Sequence, residues 1–128
     1  MLTLGEDFGS EKENATVGEW GDRVFRYCTF KGIKIDGGHI DSVFLSCEFH
    51  EMYWYWSFFN QALFINTSFT ACRFGGVSFA DCVFVECEFD HCSLEKNNLG
   101  GDCKADNTKF YGCRFDECVG FESLMTSA

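Results

Sequence analysis

The segment "CEFDHC", residues 87 to 92, holds the side chains of this chain that most resemble a metal or thiol–histidine site. Thiolate sulfur and imidazole nitrogen are zinc ligands, and an imidazole beside a thiol can also activate a cysteine nucleophile. Paired zinc cysteines often follow a C-x2-C spacing, which this sequence lacks. Whether Cys87, His91 and Cys92 form a site therefore depends on which way the chain points them.

The other polar residues and the glycine-rich segments give weaker evidence for a catalytic or ligand-binding site. His39 and His50 share no obvious acid or nucleophile, and the pieces "DGGH", "FGGV" and "LGGD" lack the Lys-Ser/Thr of a phosphate-binding loop. Corner turns explain these glycines better, because glycine tolerates positive φ. Glu86, Glu88 and Asp90 fit either a solvated acidic face or an acidic binding site. No catalytic constellation is found, so we expect no enzymatic activity, no metal and no cofactor.

A repeat with a period of five organises the chain. Twelve apolar residues recur at every fifth position: Phe44, Phe49, Trp54, Phe59, Phe64, Phe69, Phe74, Phe79, Phe84, Phe89, Leu94 and Leu99. The same step continues upstream and downstream, each time one residue out of phase, through Phe25, Phe30, Ile35 and Ile40, and through Ala105, Phe110 and Phe115. A period of five fits neither an α-helix nor a flat strand.

Eight of the nine cysteines lie two positions before one of these central residues, and Cys118 lies two positions before Gly120, the next step of the repeat. Elsewhere this slot holds mainly small side chains. This pattern, seen in "FADCVFVECEFDHCSL", resembles the pentapeptide-repeat family over about residues 23 to 119. The resemblance implies an all-β fold, a right-handed quadrilateral parallel β-helix with one pentapeptide per side and about five coils. Solenoids of this kind remove most sheet edges by stacking. We expect residues 1–22 to form an N-terminal cap containing Leu2, Leu4, Phe8, Val17 and Trp20, residues 23–121 the β-helix, and residues 122–128 a C-terminal tail.

In that geometry central residues about twenty positions apart stack in four ladders. The predicted ladders are Phe25, Phe44, Phe64 and Phe84; Phe30, Phe49, Phe69, Phe89 and Phe110; Ile35, Trp54, Phe74, Leu94 and Phe115; and Ile40, Phe59, Phe79 and Leu99. Cys87 and Cys92 then point inward from adjacent sides, while His91 faces solvent at a corner. The three cannot meet at one ion, and the cysteines are expected to be small buried apolar residues.

The segment "EMYWYWSFFN", residues 51 to 60, contains aromatic residues that the repeat directs outward. Met52, Trp54, Ser57 and Phe59 fall at inward positions, which leaves an outward set of Tyr53, Tyr55, Trp56 and Phe58. Lys34 and Arg73 flank Tyr53 in the same ladder, so part of this set is expected to be internal cation–π packing. Trp and Tyr are enriched in binding hot spots, and we predict that this set binds a partner.

A second outward surface is aliphatic and spans three coils. It consists of Val43, Leu45, Leu63, Ile65, Val83 and Val85. Exposed apolar patches of several hundred Å² usually mark an interaction site. Three alternatives for what covers this aliphatic surface stay open: the N-terminal segment, a second copy of the chain in a homodimer, or a foreign partner.

The charge balance limits the classes of partner. The formal net charge is −10, from 20 acidic and 10 basic residues, which argues against direct binding to a nucleic-acid backbone, because phosphate contacts need a basic surface. The N-terminus has no signal-peptide pattern, and no apolar run approaches the roughly 18 residues of a membrane span. We expect a cytoplasmic protein with reduced thiols and no membrane contact.

These features together predict a non-enzymatic protein-binding module. The favoured partner is a cationic bacterial toxin or effector, with this chain as its cognate inhibitor or immunity protein. The alternative comes from the family resemblance: its quinolone-resistance members resemble duplex DNA in size and charge and protect DNA gyrase, a topoisomerase. Those members are longer and commonly dimerise through a C-terminal helical segment, whereas few residues follow Cys118 here.

Overall fold

A computed structural model describes residues 2–9 and 21–127 of the chain, and it describes side chains as far as residue 124. Val17 and Trp20 of the predicted N-terminal cap lie outside the described residues. The described residues form short strands that wind into a four-sided parallel β-helix, so the predicted fold class is confirmed.

Each side of the β-helix is a parallel sheet, and we number the sides in the order in which the chain visits them. The first face contains β1 (Leu2–Leu4), β3 (Val24–Arg26), β7 (Val43–Leu45), β11 (Leu63–Ile65), β15 (Val83–Val85) and β19 (Lys109–Tyr111). The second face contains β2 (Asp7–Phe8), β4 (Thr29–Lys31), β8 (Glu48–His50), β12 (Ser68–Thr70), β16 (Glu88–Asp90) and β20 (Arg114–Asp116).

The other two sides are shorter. The third face contains β5 (Lys34–Asp36), β9 (Tyr53–Tyr55), β13 (Arg73–Gly75) and β17 (Ser93–Glu95). The fourth face contains β6 (His39–Ile40), β10 (Phe58–Asn60), β14 (Ser78–Ala80) and β18 (Lys104–Asp106). The described strands therefore make four complete coils, with half a coil added at each end. This count differs slightly from the predicted five.

The corners explain why a strand of three residues can turn into the next face. A residue with positive φ follows most strands, and many of these corner residues are not glycine, for example Glu51 (φ 53°) and Gln61 (φ 57°). Each such backbone costs roughly 1–2 kcal/mol in an L-residue. The corner N–H compensates by donating to a carbonyl of the next coil, as from Glu51 N to Thr70 O at 2.9 Å and from Gln61 N to Ala80 O at 2.8 Å.

The interior consists of stacked rings. On the first face the centroids of Phe44 and Phe64 are 4.8 Å apart, and those of Phe64 and Phe84 are 4.7 Å apart, with planes within 6° of parallel. These distances equal the spacing of neighbouring strands, about 4.7–4.9 Å. Rings of adjacent faces meet at steep angles, as Phe44 does with Phe49 at 68°. Both arrangements are favourable for aromatic pairs and stabilise the core.

The predicted ladders are correct through Leu94 and wrong after it. Phe110 stacks on Phe84 and Phe115 stacks on Phe89, so each lies one face before its predicted ladder. Ala105 pairs with Phe79 and takes the position predicted for Leu99. Leu99, predicted to be inside, is 78% exposed. The cause is an inserted loop, residues 96–103, which raises the separation of stacked positions from 20 to 26 residues.

The two ends of the solenoid are built differently. At the N-terminal end β1 pairs with β3 and β2 with β4, and the Phe8 ring stacks on Phe30 at 4.9 Å, so two strands of the β-helix lie within the segment predicted as a cap. At the C-terminal end helix α1 (Phe121–Ser127) buries Phe121 and Leu124 against the core. The proposed division into residues 1–22, 23–121 and 122–128 stays a prediction. Among the described residues, no helix is long and apolar enough to span a membrane.

The stacked core predicts a large cost for removing one ring. Phe69 is 1% exposed and lies between Phe49 at 5.0 Å and Phe89 at 4.6 Å. Phe69→Ala should lower the free energy of unfolding by about 3–5 kcal/mol, measured by chemical denaturation. Leu99→Ala, at the exposed tip of the inserted loop, should change it by less than about 0.5 kcal/mol. A neutral Phe69→Ala would contradict the stacking.

Candidate protein-binding surface

The aromatic corner, as we call Tyr53, Tyr55, Trp56 and Phe58, lies where the third face turns into the fourth. Tyr53 and Tyr55 are the outward residues of β9, Phe58 begins β10, and Trp56 forms the turn with φ 59°. Trp56 N donates to Gly75 O at 2.9 Å, and Gly37 N donates to Tyr55 O at 2.7 Å. Neighbouring coils therefore hold the backbone of the corner from both sides.

Tyr53 is held mainly by its own neighbours. The guanidinium carbon of Arg73 lies 4.1 Å from the ring centroid, and Lys34 Nζ lies 5.6 Å from it. Arg73 is fixed in turn by Glu95, with Nε–Oε2 at 2.8 Å and Nη2–Oε1 at 2.9 Å. The hydrogen bond from Arg73 lowers the pKa of Glu95. Much of the Tyr53 surface is thus used inside the molecule.

Tyr55 connects the corner to the inserted loop. Its hydroxyl accepts a hydrogen bond from Asn98 N at 2.6 Å. Its ring covers Gly75 so closely that a Cβ there would lie 2.7 Å from Tyr55 Cδ1. Asn97 covers Gly76 in the same way, because a Cβ at Gly76 would lie 2.6 Å from Asn97 Cβ, and Asn97 Oδ1 accepts from Gly101 N at 2.9 Å. Sequence reasoning missed this role of the loop, although the adjacent Gly75-Gly76 and Gly100-Gly101 pairs mark it.

Trp56 is the member of the corner that remains most available. It is 46% exposed and lies 6.1 Å from the Tyr55 ring. Phe58 is half-buried, with its ring 4.9 Å from the His39 ring. All four residues therefore lie on the outside, as predicted from the repeat, but they differ in what they can offer a partner. Tyr53, Tyr55 and Phe58 contribute partial surfaces around one exposed indole.

The acidic residues concentrate on the second face and its borders. Glu88 and Asp90 are outward residues of β16, and Glu86 occupies the corner that leads to them. Further carboxylates of this face are Asp7, Glu48 and Asp116, with Glu51 and Glu117 at its far border. Arg114 offsets part of this charge, because its Nη1 lies 3.3 Å from Glu88 Oε1. His50 Nε2 lies 2.9 Å from Glu48 Oε1.

The aliphatic residues all lie on the first face. Val43, Leu45, Leu63, Ile65, Val83 and Val85 are half-buried outward residues of three consecutive strands. Leu2 and Leu4 of β1 join the same sheet and are each 58% exposed. Residues 2–4 therefore lengthen this surface along the solenoid axis and do not cover it.

The thiol–histidine candidate does not assemble. Cys87 Sγ donates to Phe64 O at 3.3 Å, Cys92 Sγ donates to Phe69 O at 3.2 Å, and His91 turns outward to Asp90. No group of three or more His, Cys, Asp or Glu among the described residues is arranged to hold a metal ion. Burial raises the pKa of Cys47 and Cys82 to about 11, which keeps these thiols protonated and unreactive.

Comparison with known proteins agrees with the geometry. Residues 49–93 match the family model for pentapeptide repeats in nine copies. This match covers about a third of the chain and confirms its resemblance to the pentapeptide-repeat family. The sequence matches none of the curated proteins with which it was compared.

Two solved structures illustrate how distant the structural neighbours are. The pentapeptide repeat protein Rfr23 from the cyanobacterium Cyanothece 51142 is 9% identical, with 93% of this chain aligned to 84% of that chain at a TM-score of 0.31. QnrB1, a plasmid-mediated fluoroquinolone resistance protein, is 11% identical, with 98% of this chain aligned to 94% of that chain at a TM-score of 0.28. These values are too low to transfer a partner or an activity.

His91 should titrate above its ordinary value. Its Nδ1 lies 2.7 Å from Asp90 Oδ1 and its Nε2 lies 2.6 Å from Glu117 Oε2, and these carboxylates raise its pKa from 6.5. The protonated ring then stabilises the fold fully below the unfolded pKa, and this contribution is lost as the pH rises through the folded pKa. NMR titration should give a higher His91 pKa in the wild type than in Asp90→Asn/Glu117→Gln. Equal values in the two proteins would contradict this pairing.

Proposed function

We propose that this chain is a protein-binding module that anchors a partner on Trp56 of the aromatic corner. One observation carries the proposal. The fold needs only a left-handed residue at this turn, and Gly37 and Gly76 supply it in the coils before and after. A half-exposed indole at Trp56 is therefore not required by the solenoid. Trp is among the residues most enriched in binding hot spots.

The inserted loop supports the same surface. It interrupts the repeat between β17 and β18, so it leaves the solenoid at the same edge as Trp56. Insertions in repeat proteins tend to lie on the binding face. Two departures from the repeat, a large aromatic corner residue and a loop that contacts Tyr55, thus fall side by side. A partner at this edge would meet the indole, the Tyr rings and the loop together.

The charge of the chain favours a cationic partner. With a net charge of −10, the protein attracts basic proteins over a Debye length and increases their rate of association. The third face separates the acidic second face from Trp56. The acidic residues would therefore mainly increase the rate at which the partner associates, and the aromatic corner would mainly stabilise the complex. We propose a cognate inhibitor, of the immunity-protein type, that covers a basic bacterial toxin or effector.

Trp56→Ala tests this function. Immobilised wild type and variant would be exposed to lysate of the source organism, and the Kd of each retained basic protein measured with purified components. Trp56→Ala should weaken such a complex by at least about 30-fold. Tyr27→Ala is the matched control, because Tyr27 is 55% exposed at an equivalent left-handed corner on a different edge.

Two further results complete that test. Added salt should weaken the wild-type complex if acidic steering contributes. The retained protein should lose its toxicity in cells that also express wild type, but not in cells that express Trp56→Ala. Equal affinity of wild type and Trp56→Ala would contradict the proposed anchor.

A second candidate function rests on the acidic second face. Its carboxylates lie on four of its six strands, β2, β8, β16 and β20, along a rod of about 24 Å with a strand spacing of about 4.8 Å. Such a surface could occupy the DNA-binding groove of a topoisomerase, as the family resemblance implies for gyrase protection. The paired Arg114 and the interspersed Lys31 reduce this charge and make it the second choice.

Gyrase supercoiling in the presence of a fluoroquinolone distinguishes the two functions. If the second face mimics DNA, wild type should restore supercoiling, and Glu86→Gln/Glu88→Gln/Asp90→Asn should lose most of that protection. Trp56→Ala should then protect as well as wild type. Absence of protection by wild type would refute the gyrase function and leave the inhibitor function standing.

A further inference from the structure

The first face is a continuous apolar surface that differs in charge from the rest of the molecule. Its outward residues are Leu2, Leu4, Val24, Arg26, Val43, Leu45, Leu63, Ile65, Val83, Val85, Lys109 and Tyr111. None of them is acidic, whereas outward positions on each of the other three faces include Asp or Glu. The charged members, Arg26 and Lys109, lie near opposite ends of the face.

We propose that this face binds a second copy of the same chain, so that two solenoids pack side by side about a two-fold axis. The composition of the face indicates a homodimer. Its centre consists of branched aliphatic side chains without Trp or Tyr, while interfaces with foreign proteins usually depend on aromatic or Arg anchors. Homodimer interfaces are more apolar than other interfaces. A flat sheet face can also be self-complementary, as a two-fold interface requires.

Electrostatics favour the same face. Two chains of net charge −10 repel each other, and that repulsion is strongest where the acidic second faces approach. Contact through the first face brings together no outward carboxylate from its strands and places Arg26 and Lys109 near the interface. Of the four faces, the first is the one whose strands bring no outward carboxylate to the contact between two acidic copies.

The size of the face sets the strength of the dimer. Six strands at about 4.8 Å give a length of about 24 Å, and three residues per strand give a width of about 10 Å. Two such faces bury on the order of 500 Å² in total, well below the roughly 1,600 Å² of a standard stable interface. We therefore expect a weak, reversible dimer that forms at about 0.1 to 1 mM protein. This inference does not depend on the aromatic corner or on a foreign partner.

Sedimentation equilibrium over a range of concentrations tests the dimer. The mass should rise from 14.6 kDa to twice that value as wild type is concentrated. Leu63→Asp/Val83→Asp should raise the dimer Kd by at least about 100-fold, because it buries carboxylates in the interface. The matched control is Ser68→Asp/Ser78→Asp, which adds the same charge at the same strand position on the second and fourth faces. It should dimerise nearly as wild type does.

Salt dependence and NMR provide measurements that do not need a variant. Added salt should strengthen the dimer, because it screens repulsion between like-charged copies, which is opposite to its effect on a complex with a cationic partner. In a mixture of differently labelled chains, isotope-filtered NOEs should connect methyl groups of Leu63, Ile65 and Val83 between copies. A monomeric wild type at millimolar concentration, or a dimer whose intermolecular NOEs avoid the first face, would overturn the proposal.

Discussion

The structure depends on one match of distances, between the spacing of hydrogen-bonded strands and the spacing of stacked aromatic rings. Adjacent coils are about 4.8 Å apart because their backbones are hydrogen-bonded. Rings on successive coils, such as Phe64 and Phe84 at 4.7 Å, then pack without adjustment of the backbone. Four ladders of large side chains fill the middle of the square, which leaves space only for small side chains at the other inward positions. Most of the 16 phenylalanines and all nine cysteines of the chain follow from this division.

This division also determines where function can lie. Backbone N–H groups at the corners donate to the next coil, and buried thiols such as Cys92 Sγ donate to carbonyls such as Phe69 O. The residues that look most reactive in the sequence are therefore used to satisfy the interior. A partner can meet only outward residues, corners and insertions. Because the strands are short and cross-linked by hydrogen bonds on both sides, these residues are presented rigidly, which lowers the entropy lost on binding.

The sequence was sufficient for the fold and for the direction of each side chain up to Leu94, because every fifth residue faces the core. It was not sufficient to place the residues after Leu94, because the repeat does not give the length of an insertion uniquely. A phase shift of one residue reports the length of an insertion only modulo five, so one extra residue and six extra residues leave the same pattern. The chain contains six, which moves Phe110 and Phe115 to the preceding faces and exposes Leu99. The contact between Asn98 and Tyr55 joins residues 43 positions apart through a non-repeating loop, and no periodicity encodes it.

The corner at Trp56 shows how such departures from the repeat support one another. Gly75 lacks a Cβ where the Tyr55 ring lies, Gly76 lacks one where Asn97 lies, and the loop that carries Asn97 and Asn98 exists only because of the insertion. Each of these features would be unfavourable or useless alone. A glycine inside a strand, such as Gly75, weakens the strand, and the six extra residues of the loop add conformational entropy to the unfolded chain. Together they fix Tyr55 beside Trp56 and leave the indole exposed. Stability alone does not explain this arrangement, whereas the proposed recognition of a partner does.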